Sequence, residues 1–333
     1  MKKIKLLVCG ILALLILQNQ AAAAPGDLDA GFGNGGKLII PALGNITEPK
    51  IALHQDGNKY LIAATLSNSL GSLMWLGRLS NDGTLDQSFG VRYDNLTFLD
   101  GGARLPTIVL DLKVQASGKI LVLTEGRRSD GTFAAVTQFH ENGTIDTTFG
   151  RNGRTIINGF VSKFLETKPD GKIVVAGNVR NPTTFDDFAV AQLTANGAFD
   201  TTFDGDGKAS VSFSFCDTCG GADGYSFGDS LRDLKVQPDG KIVLVGWVSN
   251  DAGTLASTGI ARLNANGSAD STFDTDGKLV SAIPHNRDRS FSNSVVIQTD
   301  GSLTVLSSFQ QGSSHFAPVV VKLKDVPELI DAR

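Results

Sequence analysis

Residues 143–150 read Gly-Thr-Ile-Asp-Thr-Thr-Phe-Gly, and the same eight-residue pattern occurs four more times. It is Gly-Asp-Leu-Asp-Ala-Gly-Phe-Gly at 26–33 and Gly-Thr-Leu-Asp-Gln-Ser-Phe-Gly at 83–90. It returns as Gly-Ala-Phe-Asp-Thr-Thr-Phe-Asp at 197–204 and Gly-Ser-Ala-Asp-Ser-Thr-Phe-Asp at 267–274. The central aspartates, Asp29, Asp86, Asp146, Asp200 and Asp270, are 57, 60, 54 and 70 residues apart. A period of this size marks an array of similar supersecondary units.

A second element falls halfway between these: Asp56-Gly57, Ser117-Gly118, Asp170-Gly171, Asp239-Gly240 and Asp300-Gly301. Alternating apolar stretches lie on both sides of it, such as Leu231–Gln237 and Lys241–Val245. An Asp-Gly between two such runs predicts a hairpin, with Gly in the positive-φ position and Asp bonding its own turn. One further strand follows each Phe-Gly/Asp crossover (Arg154–Ile157, for example), and one precedes the next Asn-Gly or Asp-Gly (Phe133–Phe139). That is four strands in about 60 residues with no helical period between them. A lone four-stranded sheet cannot bury both faces, whereas similar sheets stacked round an axis can. The prediction is an all-β, five-bladed β-propeller of four-stranded antiparallel blades over residues 25–326, with 327–333 as a tail.

Composition agrees. Only five of the 34 acidic residues are glutamate, and Gly numbers 38 of 333. Asp and Gly favour turns, whereas Glu favours helix interiors. Residues 1–24 read as a secretory signal peptide: Lys2, Lys3 and Lys5, then the apolar run Leu6–Leu17, then Ala21–Ala24. The run is too short to span a membrane, and no other apolar stretch approaches the ~20 residues a span needs. Without the three lysines the formal charge of -4 becomes -7, which argues against nucleic acid or anionic lipid as partner. The expectation is a monomer, secreted or periplasmic, with no membrane span after signal cleavage.

The pattern Gly-x-Leu-Asp-x-x-Phe-Gly-x-x-Gly, with Gln-Pro-Asp-Gly-Lys-Ile-Val-x-x-Gly in mid-unit, resembles the delta-60 repeat family of bacterial exported proteins. The resemblance covers about 26–324 and is strongest at 143–177 and 197–246. It implies a β-propeller. The shared residues are structural, so it implies no catalytic assignment. Unit two departs from the pattern, with Val91-Arg92-Tyr93 for the Gly-Lys step and Ala116-Ser117 for Pro-Asp.

Each repeated aspartate is read as closing an Asx turn, three residues before a phenylalanine that fills the space between blades. These are Phe32, Phe89, Phe149, Phe203 and Phe273. Asp204, Asp206, Asp274 and Asp276 alternate before Gly as in calcium loops, but no terminal Glu follows. Plain turn chemistry is the preferred reading, and a calcium-stabilised structural module the alternative. Cys216 and Cys219 lie in a Gly-rich insertion, not at a helix start, so a small-loop disulfide fits better than a redox couple.

The crossovers and Asp-Gly hairpins share one end of the strands. The loops at the other end differ in every unit, and a rigid frame with variable loops is a usual way to present a binding surface. Candidate ligand-binding residues there are Tyr225, Phe227, His285, Arg287, Arg289, Arg127 and Arg128. No cofactor and no catalytic residue is assigned. The rival is a glycan hydrolase using Asp111 and Asp233, which occupy one register in two units. The equivalents Lys50, Phe164 and Ser294 supply no third acid, so these two are read as solvated strand-face charges. The function predicted is a non-catalytic binding or scaffold module for a protein or glycan at the cell surface or in the periplasm.

Overall fold

The alternation of apolar residues and Gly-containing turns produces strands throughout. The computed structural model describes residues 26–40, 45–68, 71–89, 92–94, 107–128, 131–181, 185–213, 228–249, 256–281, 290–311 and 315–324. No helix occurs among them, so among the described residues there is no helix long and apolar enough to cross a membrane. The chain divides into two units, Met1–Ile39 and Ile40–Arg333. In the first, Asp29 accepts the Gly31 amide at 2.9 Å, and the Phe32 amide donates to the Asp29 carbonyl.

Among its described residues the second unit holds five antiparallel sheets. Sheet one is β1 (Asn45–Leu53), β2 (Lys59–Asn68), β3 (Gly71–Ser80) and β4 (Arg92–Asp94), in that order. Sheet two is β5 (Thr107–Val114), β6 (Ile120–Arg128), β7 (Gly131–Phe139) and β8 (Arg154–Ile157). Sheet three is β9 (Val161–Thr167), β10 (Ile173–Asn181), β11 (Phe185–Leu193) and β12 (Lys208–Val211). Sheet four is β13 (Ser230–Val236), β14 (Ile242–Ser249), β15 (Ala256–Leu263) and β16 (Lys278–Ser281). Sheet five has three described strands, β17 (Ser290–Ile297), β18 (Leu303–Gln311) and β19 (His315–Leu323).

One grouping read from the sequence is corrected. The strand after the Asp-x-x-Phe segment, taken from the sequence as the first of its unit, does not begin a new sheet after Phe89, Phe149, Phe203 or Phe273. It folds back on the strand before the segment, as β8 does on β7 (Thr137 opposite Arg154). The reversal is local: the Asp146 amide donates to the Gln138 carbonyl and the Gly153 amide to the Phe149 carbonyl. The residue after Phe must be left-handed to make it, with φ +53° at Gly150, +48° at Asp204 and +46° at Asp274. Gly takes this region freely, and Asp tolerates it better than most residues. That need explains the Gly-or-Asp alternation of the motif.

The sheets bury their faces against the next sheet in sequence. Leu61, Met74 and Leu76 pack with Val109, Leu112 and Val122 between sheets one and two. Leu121, Leu123 and Val136 meet Leu165, Ile173 and Val175 between two and three. Equivalent clusters join three to four, round Phe188 and Leu244, and four to five, round Val245 and Val305. The outer faces of the two end sheets differ. Ile51 is 68% exposed, while Leu112, Leu165, Leu234 and Val295 at the same register are buried. Val320 is 65% exposed, while Leu76, Val136, Val190 and Ile260 are buried.

Candidate functional site

Chemistry on this frame begins with the repeated aspartate. Asp146 Oδ1 accepts the Thr148 amide at 3.0 Å and the Thr148 hydroxyl at 2.5 Å, while Oδ2 lies 2.7 Å from Lys119 Nζ. Asp86, Asp200 and Asp270 repeat this with Ser88, Thr202 and Thr272, and with Lys59, Lys172 and Lys241. Burial raises the Asp146 carboxyl, but the Lys119 and Thr148 bonds outweigh it and hold the acid at about 2. Asp270 is likewise held at about 2, against burial, by Thr272, Lys241 and Arg262. Asp86 is held well below the ordinary range, first by the Ser88 hydroxyl. These four are ionised turn acceptors with both carboxylate oxygens engaged.

At three of the four a second donor reaches Oδ2 from a position fixed by register, the residue whose carbonyl accepts the aspartate amide: Arg78, Gln192 and Arg262 donate, while Gln138 at the same register turns to Gln115 instead. Arg78 Nε lies 3.0 Å from Asp86, its Nη1 donates across the seam to the Glu141 carbonyl at 2.7 Å, and its guanidinium lies 4.9 Å over Phe89. Arg262 stands on Asp270 at 2.7 Å and 4.9 Å over Phe273. Gln192 donates to Asp200 at 2.8 Å but is too short to cross the seam. Lys168, from the hairpin of sheet three, crosses instead: its Nζ donates to the Ala265 carbonyl at 3.0 Å and lies 5.7 Å over Phe203. Burial pushes its ammonium down to about 8.

Asp111 and Asp233 are engaged hydrogen-bond acceptors, not free strand-face charges as the sequence reading had them. The first two strands of every sheet are out of step by a bulge, as between Val109 and Asp111. A bulge leaves an amide outside the ladder. Asp111 Oδ1 accepts the Leu112 amide at 2.8 Å, and Oδ2 accepts that of Leu165 in the next sheet at 2.9 Å. Asp233 does the same for Leu234 and Val295, both at 2.8 Å, and also accepts from Ser294 and Lys235. Each aspartate thus ties two sheets together. Beside them Lys113 pairs with Glu166 at 2.9 Å and approaches Asp111 at 4.0 Å. Burial lowers this lysine, but Asp111, Glu166 and the more remote Asp233 raise it above its ordinary value.

A cavity of about 740 Å³ opens at the hairpin end, among sheets two, three and four. Gln115, Lys119 and Gln138 line one wall, Lys168 and Ala195 another, and Gln237 a third. Sequence reasoning passed over it. The signal was present in the residue preceding each hairpin turn, where His54, Gln115, Lys168, Gln237 and Gln298 share one register.

Of the sequence-predicted ligand residues, Arg127 and Arg128 end β6, opposite Thr132 and Gly131. Tyr225, Phe227, His285, Arg287, Arg289, Cys216 and Cys219 lie outside the described residues, as does the segment 1–24. Phe89, Phe149 and Phe203 are buried in successive seams. Phe149 lies so close to Gly197 of the next sheet (φ +86°) that a Cβ there would come within 2.8 Å of the ring. Asp206 and Asp276 accept the amides of Lys208 and Lys278 at 2.8 and 2.9 Å. Among the described residues no three His, Cys, Asp or Glu side chains gather as metal ligands do.

A family model described as a domain of unknown function (DUF5122) beta-propeller matches residues 115–149, 168–203 and 237–273. Those stretches carry β-propeller-type repeats. No curated protein matches the chain. Among solved structures, an endo-arabinase from Bacteroides thetaiotaomicron is 13% identical with a TM-score of 0.39, covering 83% of this chain and 94% of that one. A subtype N10 neuraminidase-like protein of A/little yellow-shouldered bat/Guatemala is 10% identical with a TM-score of 0.42, covering 80% and 78%. A GH43_1 enzyme from Xanthomonas citri is 11% identical with a TM-score of 0.39, covering 79% and 81%.

Proposed function

We propose that the chain is an exported five-bladed β-propeller that binds a protein or glycan through the loops opposite the hairpin end, without turning it over. The observation that carries this reading is the engagement of its carboxylates. The strongest catalytic pair by sequence, Asp111 and Asp233, accepts bulge amides from two sheets each, so neither is free to transfer a proton or attack a substrate. The repeat aspartates are turn acceptors. Ring closure is part of the proposal: the outer face of sheet five, with Val320, packs on that of sheet one, with Ile51. Both faces expose apolar residues at registers buried in every other sheet. The mature protein is a secreted or periplasmic monomer, and its 214–230 loop carries a small-loop disulfide between Cys216 and Cys219.

The test is a glycan array and a hydrolysis assay run on the same mature protein. Binding without release of reducing ends, lost when 214–230 is replaced by a Gly-Ser loop at unchanged Tm, supports the proposal. Glycan turnover abolished by Asp111→Asn or Asp233→Asn, in variants that keep their fold, overturns it. That second reading, a glycan hydrolase, draws its support from the carboxylates of three sheets gathered round Lys113.

A further inference from the structure

In three of the four seams between successive sheets a cation stands over the buried phenylalanine, and seam two–three lacks one among the described residues. In seam one–two the cation is Arg78, standing over Phe89 and donating to the carbonyl of Glu141 in the next sheet's turn. In seam three–four it is Lys168, over Phe203, on the carbonyl of Ala265. The turns His140–Gly143, Thr194–Gly197 and Asn264–Gly267 are equivalent, each closed by the glycine amide on the first carbonyl. The matching acceptor in seam two–three is therefore the carbonyl of Ala195. The two positions that could supply its cation, 138 and 115, both hold glutamine.

Those glutamines are turned to each other. Gln138 Nε2 donates to Gln115 Oε1 at 2.9 Å, and Gln138 Oε1 accepts from Lys119 at 3.3 Å. Asp146 consequently receives Lys119 but no second donor at Oδ2, unlike Asp86, Asp200 and Asp270. Among the described residues no side chain donates to the Ala195 carbonyl and no cation stands over Phe149. The gap borders the 740 Å³ cavity, which shares Gln115, Gln138 and Ala195 with it. Its size suits a small organic ligand. The deep amide of Gln237, on the third wall, has a buried Oε1 with no donor.

We infer that this cavity is a binding site for a guanidinium group, carried by a small amine or by the arginine side chain of a peptide. The guanidinium takes the place that Arg78 fills in seam one–two: it donates to the Ala195 carbonyl and to the glutamine oxygens, in the field of Asp146. Lys119 is no obstacle to a second cation, because Arg78 sits beside Lys59 on Asp86 and Arg262 beside Lys241 on Asp270. The site lies at the hairpin end, opposite the variable loops, and stands whether or not those loops bind anything.

The test titrates the full protein with agmatine and, separately, with an acetylated, amidated pentapeptide bearing one central arginine; glucuronate serves as the anionic control. The inference expects a saturable rise in Tm with at least one guanidinium probe and none with glucuronate. Agmatine alone acting identifies a small amine; the peptide acting as well identifies a side chain. Amide shifts of the wild-type protein on titration should centre on Ala195, Gln115 and Gln138. Gln138→Arg fills the site from within, as Arg78 does, and should abolish the response; Gln115→Lys, which copies Lys168, should do the same if the first variant folds poorly. No response to either guanidinium probe, an equal response to glucuronate, shifts centred elsewhere, or an undiminished response in a folded variant overturns the inference.

Discussion

Asp233→Ala separates structural from catalytic use of the carboxylates at the bulges. The wild-type carboxylate accepts the amides of Leu234 and Val295, each at 2.8 Å, and both residues are buried. Removing it leaves two buried N–H groups without an acceptor, because the bulge has taken them out of the ladder. An unsatisfied buried donor costs about 1–3 kcal/mol, so the variant should lose about 2–6 kcal/mol. The Lys235 contact adds little, since that lysine is more than a third exposed. Asp233→Asn keeps one acceptor oxygen and should fall near the lower end of that range. The assay is urea unfolding, read as a shift in midpoint at constant slope, with hydrogen exchange at Leu234 and Val295 as the local readout. Exchange at both amides should quicken even where global unfolding is not two-state. A loss below about 0.5 kcal/mol, the range of ordinary surface substitutions, with unchanged exchange at both amides, would refute the claim that Asp233 ties sheet four to sheet five.

Three further outcomes follow from the same geometry. If sheets five and one close on each other, Val320→Asp buries an unpaired charge and should cost more than about 2 kcal/mol in urea unfolding; a cost within about 0.5 kcal/mol would mean that the face stays open to water. The carboxyls of Asp146 and Asp270 lie at about 2 when folded against an ordinary 3.8. Their contribution is therefore complete above about pH 4 and is lost as pH falls towards 2; Tm measured across that window should drop, and drop less in Asp146→Asn. A chelator should leave Tm unchanged, because Asp206 and Asp276 already serve lysine amides; a fall in Tm that calcium restores would establish the calcium-stabilised module instead.

The repeat was legible because its turns depend on single residues with single physical reasons. The Asp at 146, 200 or 270 bonds an amide two residues on, and the Gly or Asp after Phe accepts a left-handed backbone. These are local demands, so they survive in the sequence as a motif. Sheet membership was not local. Whether Arg154–Ile157 continues forward or folds back depends on the reversal at Phe149–Gly153, and a period of about 60 residues is the same either way. The role of Asp111 was hidden for a related reason. Its partners are an amide next door and one 54 residues away, and neither is marked by residue type. The cation positions were legible only in comparison with each other: a glutamine at 138 is unremarked until Arg78 and Arg262 are seen in the same register.

That comparison also bears on where specificity can reside. A repeat protein supplies its own reference set, since the same backbone environment is filled several times by different side chains. Where the fillings agree, as with the Asp-Lys pairs at Asp86, Asp146, Asp200 and Asp270, the residue answers a structural requirement. Where they differ but the contact survives, as when Lys168 replaces Arg78 from another strand, the contact is the requirement and the residue is incidental. Seam two–three keeps the acceptor carbonyl and the aspartate yet omits the cation from both places that could supply it. Burial of a seam alone would favour filling that space, because a polar cavity between packed sheets forgoes contacts on every wall. An unfilled position in an otherwise repeated plan is thus the point at which this frame is best suited to accept something from outside.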